Sequence, residues 1–299
     1  MNILVTGITC KTGIGEYLLE KINLNKNYKI MCIIRNISKI NFLKKYDNIE
    51  IITGDLNDIN SFENKIDKNI DLIIHLAGIQ YTLNVIELMI KKRIKKLILI
   101  SSTNIFSKYK KISNFIKNIE TEIINKANKF KFNYIIIRPT MIYGNGEDNN
   151  IKKLIIFIDK YPLIPIINNG GTLIQPVFYK DIGEVVIKLI ERNDLFNKVY
   201  NLSGKDIISY KNLIFLISKC LNKKIILINL PTNITIILFK IIKIIFKSFK
   251  ISLEQILGFI ENRVFDYNDA YVDFVYEPMN LVDGIKMEIE EMRRKGYIK

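Results

Sequence analysis

The chain has 299 residues, 48% hydrophobic and 25% charged, enough to bury a full core in one large or two interlocked domains. Its three cysteines, Cys10, Cys32 and Cys220, are scattered and odd in number and accompany a single histidine, which argues for free thiols in a reducing compartment and excludes a His/Cys zinc site; no metal is expected. A formal charge of +15 invites a nucleic-acid partner, but the lysines are spread along the whole chain without zinc-finger spacing, an RNP-like aromatic pattern or a basic region running into heptads, so no nucleic acid is expected and only a general attraction for anionic small molecules is.

Met1 leads directly into the apolar run NILVTG (2–7), without the basic and apolar regions of a signal peptide, which places the chain in the cytoplasm. That run reads as a buried strand opening into a helix over 14–22. A glycine-rich turn at such a junction aims backbone N–H groups and the positive helix end at a pyrophosphate; Gly7, Gly13 and Gly15 are the candidates, a plain tight turn being the alternative. The second strand, YKIMCIIR (28–35), ends on Arg35, where an Asp or Glu would accept the ribose 2′-OH of NAD. NADP is therefore favoured over NAD; the alternative is a solvated strand-end cation.

Further strand candidates are IEIITGD (49–55), DLIIHLAG (71–78), KLILISS (96–102), NYIIIRP (133–139) and VYNLSG (199–204), alternating with helical spans 81–93, 112–128 and 181–193. Most are continuous Ile/Leu runs, as a parallel sheet covered on both faces requires, and the rhythm predicts an α/β, doubly wound fold. Asp55 ends the third strand, within reach of an adenine amino group or as an ordinary turn residue or helix cap. His75 reads as a hydrogen-bonded core histidine, Gly78 as a close approach to cofactor or a strand end, and Asp181 as a helix cap. The fifth strand breaks into Ser101, Ser102 and Thr103 and is followed by Tyr109 among lysines.

VTGITCKTG, GDLND, IIHLAG, ISST, RPTMIYGNG (138–146), QPVFYKDIGEVV (175–186), YNLSG (200–204) and YEPMNLVDGIK (276–286), in this order and across nearly the whole chain, resemble the extended short-chain dehydrogenase/reductases that include the NAD-dependent epimerase/dehydratases of nucleotide sugars. The resemblance implies a Rossmann-type doubly wound parallel sheet with strand order 3-2-1-4-5-6 over 1–204 and a small C-terminal substrate-binding domain over 205–299, interleaved with the first through loops around 143–180. It further implies a dinucleotide held by Gly7, Thr9, Cys10, Thr12, Gly13, Arg35, Asp55, Leu56, Leu76, Ala77, Gly78 and Pro139, and a sugar substrate met by Tyr143, Asn145 and Gln175. Such enzymes use a Ser or Thr at the end of strand five, here Ser102 or Thr103, and a Tyr-x-x-x-Lys pair on the next helix that exchanges a proton while hydride moves to or from the nicotinamide.

Two departures stand out. Cys10 occupies the middle position of the family's Gly-x-x-Gly-x-x-Gly loop, and the Tyr-x-x-x-Lys pair is missing after strand five; the match at Tyr17 and Lys21 lies in the first helix and reads as chance. Tyr109 with Lys108, Lys110 or Lys117 can replace the pair, Tyr143 or a substrate group can serve, or the chain binds cofactor without redox turnover. The reading is thus an NAD(P)-dependent epimerase/dehydratase-like oxidoreductase acting on a nucleotide-linked or lipid-linked sugar, as in surface-polysaccharide synthesis; the rival is a redox-inactive sensor or scaffold. A late segment, 231–250, sets Lys240, Lys243, Lys247 and Lys250 on one helical face amid Ile, Leu and Phe. It is read as a packed helix, with peripheral membrane contact as the sharper alternative, and a homodimer is compatible with the resemblance.

Overall fold

The computed structural model of the protein describes residues 1–8, 12–36, 43, 46, 48–66, 69–109, 111–235, 257–258 and 260–299. Thr9, Cys10, Lys110 and most of the 231–250 segment, with its four lysines, lie outside the described residues. Seven strands, β1 (Asn2–Thr6), β2 (Lys29–Ile34), β3 (Ile49–Thr53), β4 (Leu72–His75), β5 (Lys96–Ile100), β6 (Asn133–Pro139) and β11 (Lys198–Leu202), form one sheet. The shorter strands are β7 (Ile142–Tyr143), β8 (Leu163–Ile167), β9 (Leu173–Ile174), β10 (Val177–Phe178), β12 (Ile208–Ser209) and β13 (Ile226–Leu230). The helices are α1 (Ile14–Ile22), α2 (Thr82–Lys92), α3 (Ile112–Phe130), α4 (Ile151–Lys160), α5 (Tyr179–Ile190), α6 (Tyr210–Cys220), α7 (Asn268–Phe274) and α8 (Leu281–Arg294).

Every pairing in the large sheet is parallel, in the order β3-β2-β1-β4-β5-β6-β11. This is the predicted doubly wound order with one further strand, and it reverses direction beside β1. The apolar runs are continuous because alternate residues bury into opposite layers. Ile3, Val5, Ile30, Cys32 and Ile74 meet α1 and α5, while Leu4, Met31, Ile33, Ile73 and Leu97 meet α2 and α3. Tyr17 and Lys21 belong to the first layer: the Tyr17 hydroxyl donates to Glu184 of α5, and Lys21 stands 5.5 Å over its ring.

A third cluster lies beyond the C-terminal edge of the sheet. It joins Ile151, Ile155 and Ile158 of α4, Leu213 and Ile217 of α6 and Leu281, Ile285 and Ile289 of α8 around Tyr143. The late segments also return to the sheet, where Ala270 and Phe274 of α7 sit in the first layer and Asp273 accepts hydrogen bonds from Lys198 and Tyr200, both at 2.7 Å. Asp181 does not cap α5. Its Oδ2 instead accepts the Met279 N–H at 3.0 Å, tying the chain before α8 to the sheet layer. Burial, with Glu184 nearby, raises this carboxyl to about 6. A carboxyl raised on folding stabilises fully below its unfolded pKa, and that contribution is lost as pH rises through the folded value. Between about pH 4 and pH 7 the protein is expected to lose on the order of 1–2 kcal/mol that Asp181→Asn does not lose, read by urea unfolding across pH.

Candidate active site

The site begins where β1 and β4 end side by side. Gly7 has φ +80°, and a methyl group added there would lie 2.2 Å from the Ala77 nitrogen, so only glycine lets the chain leave β1 at this point. Gly13, φ +75°, is the N-cap of α1 and faces the Asn145 side chain, whose Nδ2 is 2.7 Å from where its Cβ would be. Gly15 in the first turn is pressed on β1's extension, with the Ile8 Cα 2.4 Å from its missing Cβ. Leu76 and Ala77 are buried behind this turn. Thr6 Oγ1 lies 2.6 Å from His75 Nδ1, and burial drives this histidine down to about 3 against an opposing bond to the Gly78 backbone, so it is a neutral core residue.

At the end of β2 the Arg35 side chain is 70% exposed and lies 3.9 Å from Asp55 Oδ2. Asp55 is occupied locally, its Oδ1 accepting the Asn57 N–H at 2.9 Å and Nδ2 at 3.1 Å, and the Leu56 carbonyl accepts Asn84 Nδ2 at 2.7 Å. The exposed guanidinium is thus available to a ligand running along the β1–β2 edge.

Beyond β5 the three hydroxyls diverge. Ser101 donates to the buried Glu120 at 2.6 Å, which also receives the Arg138 guanidinium through Nε at 3.0–3.1 Å. Ser102 Oγ accepts the Asn104 N–H at 3.1 Å, while Thr103 donates to the Pro139 carbonyl at 3.1 Å. No tyrosine among the described residues hydrogen-bonds Ser102. Helix α3 starts at Ile112, after Tyr109, and buries Ser113, Ile116 and Glu120 while Lys117 faces solvent. Tyr109 lines a small pocket of about 330 Å³ with Thr103, Phe106 and Phe265. One wall of that pocket is tied together by hydrogen bonds: Glu261 accepts Ser107 Oγ and the Lys108 N–H, both at 2.7 Å, and Arg263 donates to Glu261 at 2.9 Å and to Asn104 Oδ1 at 2.6 Å.

A larger cleft of about 570 Å³ brings together Thr12 from the glycine turn, Ser102 and Thr103 from just beyond β5, Gln175, and Tyr210 and Arg263 from the late segments. Gln175 holds its wall, donating to the Gly204 carbonyl at 2.7 Å and accepting the Phe265 N–H at 3.2 Å. Burial pushes Tyr210 up to about 12, with Arg263 opposing, so it presents a neutral hydroxyl group. Neither Tyr210 nor Arg263 carries a signal in the sequence; both reach the cleft only through the return of the late segments. Tyr143 is placed elsewhere, 1% exposed beneath Gly284 of α8 and edge-on to Phe178. Asn145 stands at α1 as described, its carbonyl accepting Lys295 Nζ at 2.8 Å.

The loop carrying Asn145 is fixed by two buried carboxyls. Asp148 accepts N–H groups of Asn150 and Ile151 at 2.7 and 2.8 Å at the start of α4, and Glu288 of α8 accepts the Gly144 N–H at 3.1 Å. Burial, with Asp148 nearby, raises Glu288 well above the usual carboxylate value. Glu288→Ala is expected to cost about 2–4 kcal/mol through the cavity and the orphaned Gly144 N–H, and Glu288→Gln less than about 1 kcal/mol, as read by thermal unfolding.

Comparison with known proteins places this architecture. Three solved structures are similar over nearly the full length of both chains: UDP-glucose 4-epimerase of Thermotoga maritima with UDP-glucose (17% identity, 99% of each chain, TM-score 0.76), UDP-glucuronic acid 4-epimerase of Bacillus cereus with UDP-glucuronic acid and NAD (18%, 99% and 100%, 0.80), and dTDP-glucose 4,6-dehydratase of Bacillus anthracis with NAD (15%, 98% and 97%, 0.76). At these identities the likeness shows the fold. A curated protein, subunit 9 of the NADH dehydrogenase [ubiquinone] 1 alpha subcomplex of Arabidopsis thaliana, is 29% identical over 79 residues, 26% of this chain; the matched stretch spans 19% of that protein's length. Residues 3–203, carrying the glycine turn, the β5 hydroxyls and the whole parallel sheet, match one family over more than half of the sequence: the chain belongs to the NAD dependent epimerase/dehydratase family.

Proposed function

We propose that the chain binds a nicotinamide dinucleotide, NADP(H) in preference to NAD(H), along the β1–α1 turn, and a nucleotide-linked sugar in the adjoining cleft, acting on the sugar as an epimerase/dehydratase-like oxidoreductase. One observation carries this reading: Thr12 of the glycine turn and Ser102 just after β5 line the same cleft, so a dinucleotide on the turn would present its reactive end to a sugar held beside the hydroxyls that follow β5. The positive φ at Gly7 and Gly13 fits the tight strand-to-helix turn on which a pyrophosphate would sit. When bound, the nicotinamide would accept or deliver hydride; the chain's own part is to orient the sugar through Ser102 and the neutral hydroxyl of Tyr210. A sugar carried on a lipid phosphate, as in surface-polysaccharide synthesis, is the finer form of the same reading.

A second reading, dinucleotide binding without turnover, is favoured by the absence among the described residues of a tyrosine bonded to Ser102 and by the solvent-facing Lys117. One experiment separates the two. Purified protein is loaded with NADPH or NADP⁺ and incubated with UDP- and dTDP-sugars while the nicotinamide absorbance and the sugar products are followed. Turnover that Ser102→Ala reduces at least tenfold supports the enzyme; tight cofactor binding with no change in either readout supports the rival.

A further inference from the structure

Among the described residues, the β8–β13 ribbon has one buried face and one exposed apolar face. Strand register pairs Leu163 with Ile226 and Pro165 with Ile228, so these four side chains share one side of the ribbon. Leu163 is 50%, Ile226 64% and Ile228 43% exposed, while Ile164 and Ile166 on the other side are buried in the third cluster. Tyr161, two residues before Leu163 in extended backbone, is 44% exposed. Exposed lysines rim this face. Lys160 stands 5.3 Å over the Tyr161 ring, Lys224 precedes β13, and neither forms an ion pair among the described residues; Asp159 is already neutralised by Lys223 at 3.0 Å. An apolar strip rimmed by uncompensated cations matches the layered chemistry of an anionic bilayer surface, acyl boundary within and headgroup charge around it. A second copy apposed through this ribbon would bring cation against cation.

We propose that the β8–β13 ribbon docks the protein on an anionic lipid surface. The inference stands on the ribbon and not on the proposed function, but it bears on it: α4 starts at the cleft with Asn150 and Lys153 and ends at the ribbon, its ten residues spanning about 15 Å. Docking would set the cleft within reach of a sugar carried on a membrane lipid.

The test is flotation of the full chain with phosphatidylcholine vesicles with and without phosphatidylglycerol. Binding is expected only to the anionic vesicles at low salt, falling at least tenfold in Ile226→Glu/Ile228→Glu and in Lys160→Glu/Lys224→Glu, but not in the control Val272→Glu on α7, where the side chain is equally exposed. Because the chain has no tryptophan, Ile226→Trp gives an independent reading: its emission is expected to shift to the blue on anionic vesicles. No binding, undiminished binding by both double variants, or no emission shift would overturn the proposal. So would a solution dimer abolished by the isoleucine double variant, since a second copy would then cover the ribbon.

Discussion

Gly15→Ala is expected to weaken NADPH binding at least about tenfold and to cost roughly 1–3 kcal/mol of stability, whereas Cys10→Gly leaves binding within about threefold. The reason lies in which glycine does which work. In a dinucleotide turn the first glycine allows the sharp exit from the strand, the second the approach of the pyrophosphate, and the third the close packing of helix on strand. Gly7, at φ +80° against Ala77, does the first. The third belongs to Gly15, because its missing Cβ would sit 2.4 Å from the Ile8 Cα and 2.7 Å from the Ile8 carbonyl oxygen, backbone atoms that cannot rotate away. Gly13, at the mouth of α1, is left for the second. The contacts of Gly7, Gly13 and Gly15 thus lead us to expect a functional register two residues longer than Gly-x-x-Gly-x-x-Gly, in which position 10 is not the middle glycine. An alanine at 15 must push α1 off β1 and carry its N–H groups with it. Calorimetric titration of both variants decides the register: if Cys10→Gly tightens NADPH binding tenfold and Gly15→Ala does not weaken it, the shorter register holds.

The large sheet was legible because burial on both faces leaves an unbroken signal. KLILI, NYIIIRP and KIMCII are apolar at both strand parities, and no surface helix shares that pattern. The β8–β13 ribbon was missed for the opposite reason. It is half exposed, short and interrupted by Pro165, so LIPII and ILINL look like loop sequence until paired. Among site residues, the glycine turn and Arg35 could be named because each sits at a fixed step from a strand end. Asp181 and Tyr143 were harder. A first-turn aspartate is ordinarily a cap, and only the return of residues 276–280 gives it Met279 instead. Tyr143 follows β6 as a cleft residue should, yet α8 closes over it, which depends on Gly284 leaving room for the ring. Contacts made by chain that comes back from far away in sequence leave no local periodicity to read.

Arg35→Asp is expected to weaken NADPH binding about 10- to 100-fold while leaving the unfolding temperature unchanged, and to leave NADH binding equal or tighter. Stability is insensitive because the side chain is 70% exposed and its partner Asp55 lies at 3.9 Å, a surface pair worth about 0–1 kcal/mol. Cofactor affinity is sensitive because a guanidinium on a 2′-phosphate makes charge-assisted hydrogen bonds of about 1.5–3 kcal/mol, and each 1.4 kcal/mol is about tenfold in affinity. A carboxylate at the same strand end would instead accept the ribose 2′-OH, though with Asp55 beside it two like charges share the edge and limit the gain. Arg35→Ala separates the contributions: loss of the NADPH preference with NADH binding unchanged assigns the guanidinium to the phosphate. If the wild-type protein binds NADH more tightly than NADPH and Arg35→Ala changes neither, the cofactor is NAD, the dinucleotide held by the Bacillus cereus and Bacillus anthracis structures, and Arg35 is only a solvated cation at the end of β2.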